Sequence, residues 1–153
     1  MSEKAPVPPP LKVEDIMTAN VMGVPPEMTV RDAMLMLSTH KISGAPVVNN
    51  MNKVLSVVSE GDLIKLAATE GMDKTISTCL PKLCKTENLM TLKKTNTFAE
   101  AYMMFLSKGV HRIIVIDGNG NLQGIVSRSN VLRVICSTSD SQAAVEPKTA
   151  KSG

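Results

Sequence analysis

Two short patterns carry the polar groups best suited to holding a small anionic molecule. They are Ser59-Glu60-Gly61-Asp62 and Ser127-Arg128-Ser129-Asn130. Each follows a β-branched, apolar run (residues 54–58 and 122–126) and opens a stretch with helical periodicity. Both serines therefore stand at a strand-to-helix junction, where free backbone N–H groups and the helix dipole favour an anion. The same spacing also makes an ordinary helix N-cap, and the two roles are compatible. Catalytic chemistry finds no comparable support. The only histidines are His40 and His111, and the three cysteines, Cys79, Cys84 and Cys136, contain no C-x-x-C pair. There is no G-x-S-x-G, P-loop or H-E-x-x-H, so neither an enzyme nor a metal site is expected, and no cofactor is required. Asp117-Gly118-Asn119-Gly120 lacks the further acidic ligands of a calcium loop and reads as a hairpin turn.

The elements that position these serines occur twice. A shift of 68 residues lays 16–64 ungapped onto 84–132. It pairs Thr18 with Thr86, Asn20 with Asn88, Met22 with Met90, Val47 with Val115, Val58 with Val126 and Ser59 with Ser127. In each copy an extended segment (21–24 or 89–92) leads to a capping box, Thr29 with Asp32 or Thr97 with Glu100. Helices are predicted over 30–39 and 98–107, and strands over 46–48, 54–58, 113–116 and 122–126. The order is β-α-β-β-α in each unit. One such unit buries too little surface to be stable alone. The predicted fold is therefore α/β (α+β): two β-α-β-β-α units packed sheet to sheet about a pseudo-twofold axis. The expected divisions are a disordered proline-rich lead (1–10), a first motif (11–70), a linker (71–81), a second motif (82–136) and a flexible tail (137–153).

Composition narrows the partners. Aromatic residues make up only 2% of the chain, which argues against nucleic-acid readers that stack bases on rings. The net charge of +3 is mild and the basic residues are scattered, so a phosphate-tracking stripe is absent. No apolar run approaches a membrane-spanning length, and nothing reads as a signal peptide. An odd cysteine count without a disulfide framework fits a reducing, cytoplasmic setting.

The repeated unit resembles a CBS domain, and the chain resembles a tandem CBS pair, or Bateman module. The resemblance rests on Ile42-Ser43-Gly44-Ala45-Pro46-Val47-Val48 with residues 54–63, and on Gly109-Val110-His111-Arg112-Ile113-Ile114-Val115-Ile116 with residues 122–131. It implies a regulatory module that binds AMP, ADP, ATP or S-adenosylmethionine in clefts between the motifs and modulates a partner protein. It also implies a homodimer, and the other reading it leaves open is a structural homodimerisation module with vestigial clefts. In the family pattern G-h-x-S/T-x-x-D, the hydroxyl faces phosphate and the carboxylate faces ribose. Carried over, this assigns Ser59 and Asp62 to one site, and Ser127 and Asn130 to the other. Purine recognition by backbone groups would place Ile42, Ser43 and Gly44 in the first site, and Val110, His111 and Arg112 in the second. The chain departs from the pattern at Ser56, which replaces glycine, and at Asn130, which replaces aspartate. Glu60 stands where the second unit has Arg128. On charge, the second site is expected to suit a phosphorylated ligand, and the first adenosine or a sulfonium ligand.

Overall fold

The computed structural model describes residues 11–85 and 88–138. The proline-rich lead, Thr86, Glu87 and the tail from residue 139 lie outside the described residues.

The first unit runs from helix α2 (Val30–His40) through strands β1 (Gly44–Val48) and β2 (Val54–Ser59) to helix α3 (Glu60–Thr69). The second repeats this as β3 (Thr91–Leu92), α5 (Phe98–Lys108), β4 (Arg112–Ile116), β5 (Leu122–Ser127) and α6 (Arg128–Thr138). The predicted helices and the four central strands are present, with bounds one or two residues wider, whereas the opening segments 21–24 and 89–92 are reduced to a single bridge at Val24 and to β3. The sheets differ slightly. Strands β3-β4-β5 form a three-stranded sheet, whereas β1-β2 gains its third strand only as a single parallel bridge between Val24 and Val47.

Local chemistry repeats in detail. Thr97 and Glu100 form a full reciprocal capping box; Thr29 accepts from the Asp32 N–H without the reciprocal bond. In the hairpin turns, Asp117 Oδ1 accepts from the N–H groups of Asn119 and Asn121, and Asn49 Oδ1 accepts from those of Met51 and Lys53. After the helices, Gly109 (φ 62°) and its counterpart Lys41 (φ 54°) both adopt the left-handed conformation.

Strand alternation builds two buried faces. Ala45 and Val47 enter the first helix-side core, and Ile113 and Val115 the second. Pro46 and Ile114 point the opposite way and are also buried, although they belong to neither of those cores. The second face is therefore covered by the other unit, as sheet-to-sheet packing requires. The hairpins also exchange bonds in a pseudo-twofold pair: the Val54 N–H donates to Gly120 O (3.0 Å) and the Leu122 N–H to Asn52 O (2.9 Å).

The repeat has a register change that the ungapped alignment does not show. Helix α1 (Val13–Ile16) docks on the second unit, with the Val13 N–H donating to Asn96 O and the Phe98 N–H to Leu11 O. Helix α4 (Ile76–Cys79) docks on the first unit in the same way, through Ile76 N–H to Met28 O and Val30 N–H to Lys74 O. These contacts relate α1 to α4 by 63 residues rather than 68, so Ile16 corresponds to Cys79 and not to Cys84. Each core is completed by a helix that precedes the other unit. Val13 is buried in the second core, and Ile76 and Cys79 in the first. The segment expected as a linker thus supplies core residues.

Candidate functional site

A cleft of about 520 Å3 opens where the two units meet. That is the size of a small-molecule site, which typically spans about 300–1,000 Å3. Three groups of side chains line it. Val21, Met22, Ile42, Pro46 and Ile125 give an apolar wall. Thr18, Ser43 and Ser127 offer hydroxyls, and Asn20 an amide. His40, Lys41 and Arg112 supply basic groups. Among the described residues, no carboxylate lines it.

Each lining group is held by a definable piece of backbone. The segment at Thr18 is pinned to the second unit by two bonds: Thr18 N–H to Ile125 O and Ile125 N–H to Thr18 O, each 2.9 Å. Gly124 permits that approach, because a Cβ there would sit 2.7 Å from both Thr18 O and Met17 Sδ. His40 and Lys41 end helix α2, and the His40 ring nitrogen Nδ1 lies 3.0 Å from Met36 O. Arg112 extends from the start of β4 across to the start of β1, where it donates to Ser43 Oγ. Burial of its guanidinium lowers its pKa from the ordinary value, and the nearby Glu60 charge opposes that shift.

The structure redistributes the residues assigned from the sequence. It brings Ile42, Ser43 and Gly44 of the first unit together with Arg112 and Ser127 of the second. The sequence-based division had put these in two different sites. The side chain of Arg112 explains the difference, since it reaches from the start of β4 to Ser43 of the first unit. Ser59 and Asp62 do not line this cleft. Asp62 Oδ2 accepts from both the N–H (2.8 Å) and the hydroxyl (2.9 Å) of Ser59, and the Asp62 N–H donates back to Ser59 Oγ. Asn130 makes the same three bonds with Ser127 and is buried. Both pairs act as helix caps here.

Arg128, expected to face a ligand, is directed elsewhere. Its guanidinium donates to Val110 O (3.1 Å) and Gly109 O (3.3 Å), the carbonyl end of α5, where a cation is favoured. Val110 packs against the second core, and the exposed His111 contributes its carbonyl to the Arg128 N–H. Glu60 lines a different groove with Leu37, Lys41 and Ile64. Ser56, which replaces the family's glycine, is buried and donates its hydroxyl to Cys84 O (2.8 Å). Sequence reasoning missed Thr18, Asn20 and Met22 as cleft residues. A signal was present, because all three are identical across the 68-residue repeat. Among the described residues no cluster of metal-ligating side chains occurs, and no helix is long and apolar enough to cross a membrane.

Fold and cleft together define a paired α/β module with pseudo-twofold symmetry and a ligand-sized opening at the junction of its halves. The chain belongs to the CBS domain family, which matches residues 13–69 and 84–137. A 17.7 kDa protein of Acidianus ambivalens is 25% identical over 124 residues, covering 81% of this chain and 73% of that protein. The chloroplastic CBS domain-containing protein CBSX1 of Arabidopsis thaliana is 29% identical over 134 residues, covering 72% of this chain and 57% of that one. Inosine-5'-monophosphate dehydrogenase of Aquifex aeolicus is 27% identical over 122 residues, which cover 80% of this chain but only 24% of the enzyme. Among solved structures, CBSX2 in complex with AMP superposes with a TM-score of 0.72 at 26% identity, covering 83% of this chain and 97% of that one. The CBS pair of MJ0100, in complex with 5-methylthioadenosine and S-adenosyl-L-methionine, shares the fold with a TM-score of 0.69 at 19% identity.

Proposed function

We propose that this chain is a regulatory module that binds an adenosine-containing ligand in the cleft between its two units and passes the change to a partner protein. The observation that carries the reading is the cleft itself. It joins Ile42, Ser43 and Gly44 to Ser127, with an apolar wall, in a space of about 520 Å3. The AMP complex of CBSX2, which this chain matches over 97% of that protein's length, supports the choice of ligand class. Because the cleft takes side chains from both units, a bound ligand changes how the units sit on each other. Such coupling is typically about 1–3 kcal/mol. No chemical step is assigned to the chain. Its free cysteines fit a reducing compartment such as the cytoplasm.

Thermal unfolding with AMP, ADP, ATP and S-adenosylmethionine tests the reading. A ligand at 100 times its dissociation constant adds about 2.7 kcal/mol of stability, a shift of several degrees. No shift with any adenosine compound overturns it.

A second reading, a homodimerisation module, is favoured by a specific surface. Leu35 and Ile64 are exposed on α2 and α3, and their repeat counterparts Met103 and Leu132 are exposed on α5 and α6. Exposed apolar residues at matched positions suit a second copy of the chain. The two readings are compatible. A dimer mass by light scattering together with no adenosine-dependent shift leaves only the second.

A further inference from the structure

Phe98, Tyr102 and Phe105 are the only aromatic residues of the chain, and all three stand on α5 at helical spacing. The rings of Phe98 and Tyr102 stack with centroids 5.7 Å apart. Tyr102 and Phe105 carry the row into a groove of about 310 Å3, bordered on the α6 side by Val131 and Leu132. The three rings are half-buried. In the first unit the counterparts of Phe98 and Phe105 are Val30 and Leu37, which are buried. The start of α2 is covered there by the chain just ahead of α4: the Val30 N–H donates to Lys74 O and the Arg31 N–H to Met72 O, both at 2.9 Å. At the spacing that relates α1 to α4, Met72 and Lys74 correspond to Pro9 and Leu11. The Leu11 half of this arrangement is present on α5, where the Phe98 N–H donates to Leu11 O at 2.8 Å. The chain ahead of Leu11 therefore departs beside Phe98, at the head of the aromatic row.

We infer that the α5–α6 groove is a docking site for the chain's own proline-rich lead, with Pro9 O accepting the Ala99 N–H and the prolines at 6–8 seated on Tyr102 and Phe105. Pro6, Pro8, Pro9 and Pro10 supply the matching chemistry. Proline-rich segments take the polyproline II form at low entropic cost and dock on grooves lined by aromatic rings. Reach is sufficient, since α5 rises about 10 Å between Phe98 and Phe105. Polyproline II spans that length in about three to four residues. In the first unit Gly71, with φ 102°, turns the chain back onto α3, where its N–H donates to Leu66 O. The corresponding residue is Pro8, whose ring excludes that conformation, so the lead runs on along the row. The tail that follows α6 holds a single proline, Pro147, and is the poorer match for the rings. Docking of the lead gives the two helical faces different occupancy: the α5–α6 groove is filled from within, and the α2–α3 groove stays open. The inference does not depend on the adenosine site.

Nuclear magnetic resonance of the full wild-type chain tests the inference. Overhauser contacts are expected from the ring protons of Pro6 and Pro8 to the rings of Tyr102 and Phe105, and the Ala99 amide is expected to exchange as slowly as the Arg31 amide. Tyr102 is the single tyrosine and the chain has no tryptophan, so tyrosine fluorescence reports this groove alone. Combining Pro8→Gly, Pro9→Gly and Pro10→Gly in the full chain is expected to increase acrylamide quenching of Tyr102 and to abolish the slow exchange at Ala99. Absence of the proline-to-ring contacts in the wild type overturns the inference, as does quenching unchanged by the three substitutions. Contacts seen only between differently labelled chains in a mixed sample overturn it in favour of a second copy, and contacts from residues 139–153 overturn it in favour of the tail. The substituted residues precede every core residue, so the variant is expected to keep the wild-type circular dichroism; the wild-type contacts decide the matter if it does not.

Discussion

Asp117 organises the second hairpin turn through three bonds, two from backbone N–H groups and one from the Asn121 side-chain amide. Those bonds, led by the one from the Asn121 backbone, hold its carboxyl below the ordinary value; the nearby Lys53 acts in the same direction. Its stabilising contribution is thus present above the unfolded-state pKa and is lost as pH falls through the lower folded value. Asn49 performs the same service in the first hairpin without a charge. Asp117→Asn is therefore expected to keep the turn and flatten the acid limb of the stability profile, as read by urea midpoints from neutral pH down to pH about 3. An unchanged acid limb contradicts this role for Asp117. Residue types in the turns and caps were legible in the sequence because their partners are three or four residues away. The direction of Arg128 was not, because its acceptors, the carbonyls of Gly109 and Val110, belong to a different element.

Helices and strands were legible for a related reason: period and capping residues are local. The docking of whole elements was not. Helices α1 and α4 are equivalent at 63 residues while the units that follow are equivalent at 68, so a rigid alignment cannot pair them. Their sequences, Val13-Glu14-Asp15-Ile16 and Ile76-Ser77-Thr78-Cys79, share only the apolar first and last positions that face the cores. The five extra residues fall between α4 and β3, and they accompany an unequal fit on the two sheets. Gly124 lets the backbone at Thr18 lie directly on β5, whereas its counterpart Ser56 stands on β2 and bonds Cys84 O through its hydroxyl. Gly124→Ala is expected to push the Thr18 segment off β5. Overpacking of this kind costs about 1–3 kcal/mol. The loss appears as a lower urea midpoint and as faster amide exchange at Thr18 and Ile125, whose N–H groups pair there. Retained protection at both amides would show that the segment tolerates the methyl group.

At the scale of the molecule, the exchange of α1 and α4 decides how the halves depend on each other. The first core is drawn from the continuous stretch 24–83, whereas the second reaches across the whole first unit. The first needs Ile76 and Cys79, which lie beyond α3; the second needs Val13, which precedes the entire first unit. The hairpin bonds Val54 to Gly120 and Leu122 to Asn52 add a second junction, and the Thr18–Ile125 pair a third. Opening one half removes buried partners from the other, so the halves are expected to unfold together. Ile76→Ala is the sharpest probe, since its side chain is fully buried in the first core. Truncating a buried isoleucine costs about 2–5 kcal/mol. Coupling of the halves means that this loss moves the whole transition, not the first unit alone. Amide exchange in β2 and in β5 is expected to speed up by the same factor, and a single urea transition is expected to shift without broadening. If Ile76→Ala accelerates exchange in β2 while β5 keeps its wild-type protection, the halves are thermodynamically separate. Ligand held between them could then tilt one half without loading the other, and the route from cleft to partner would have to run through a single unit.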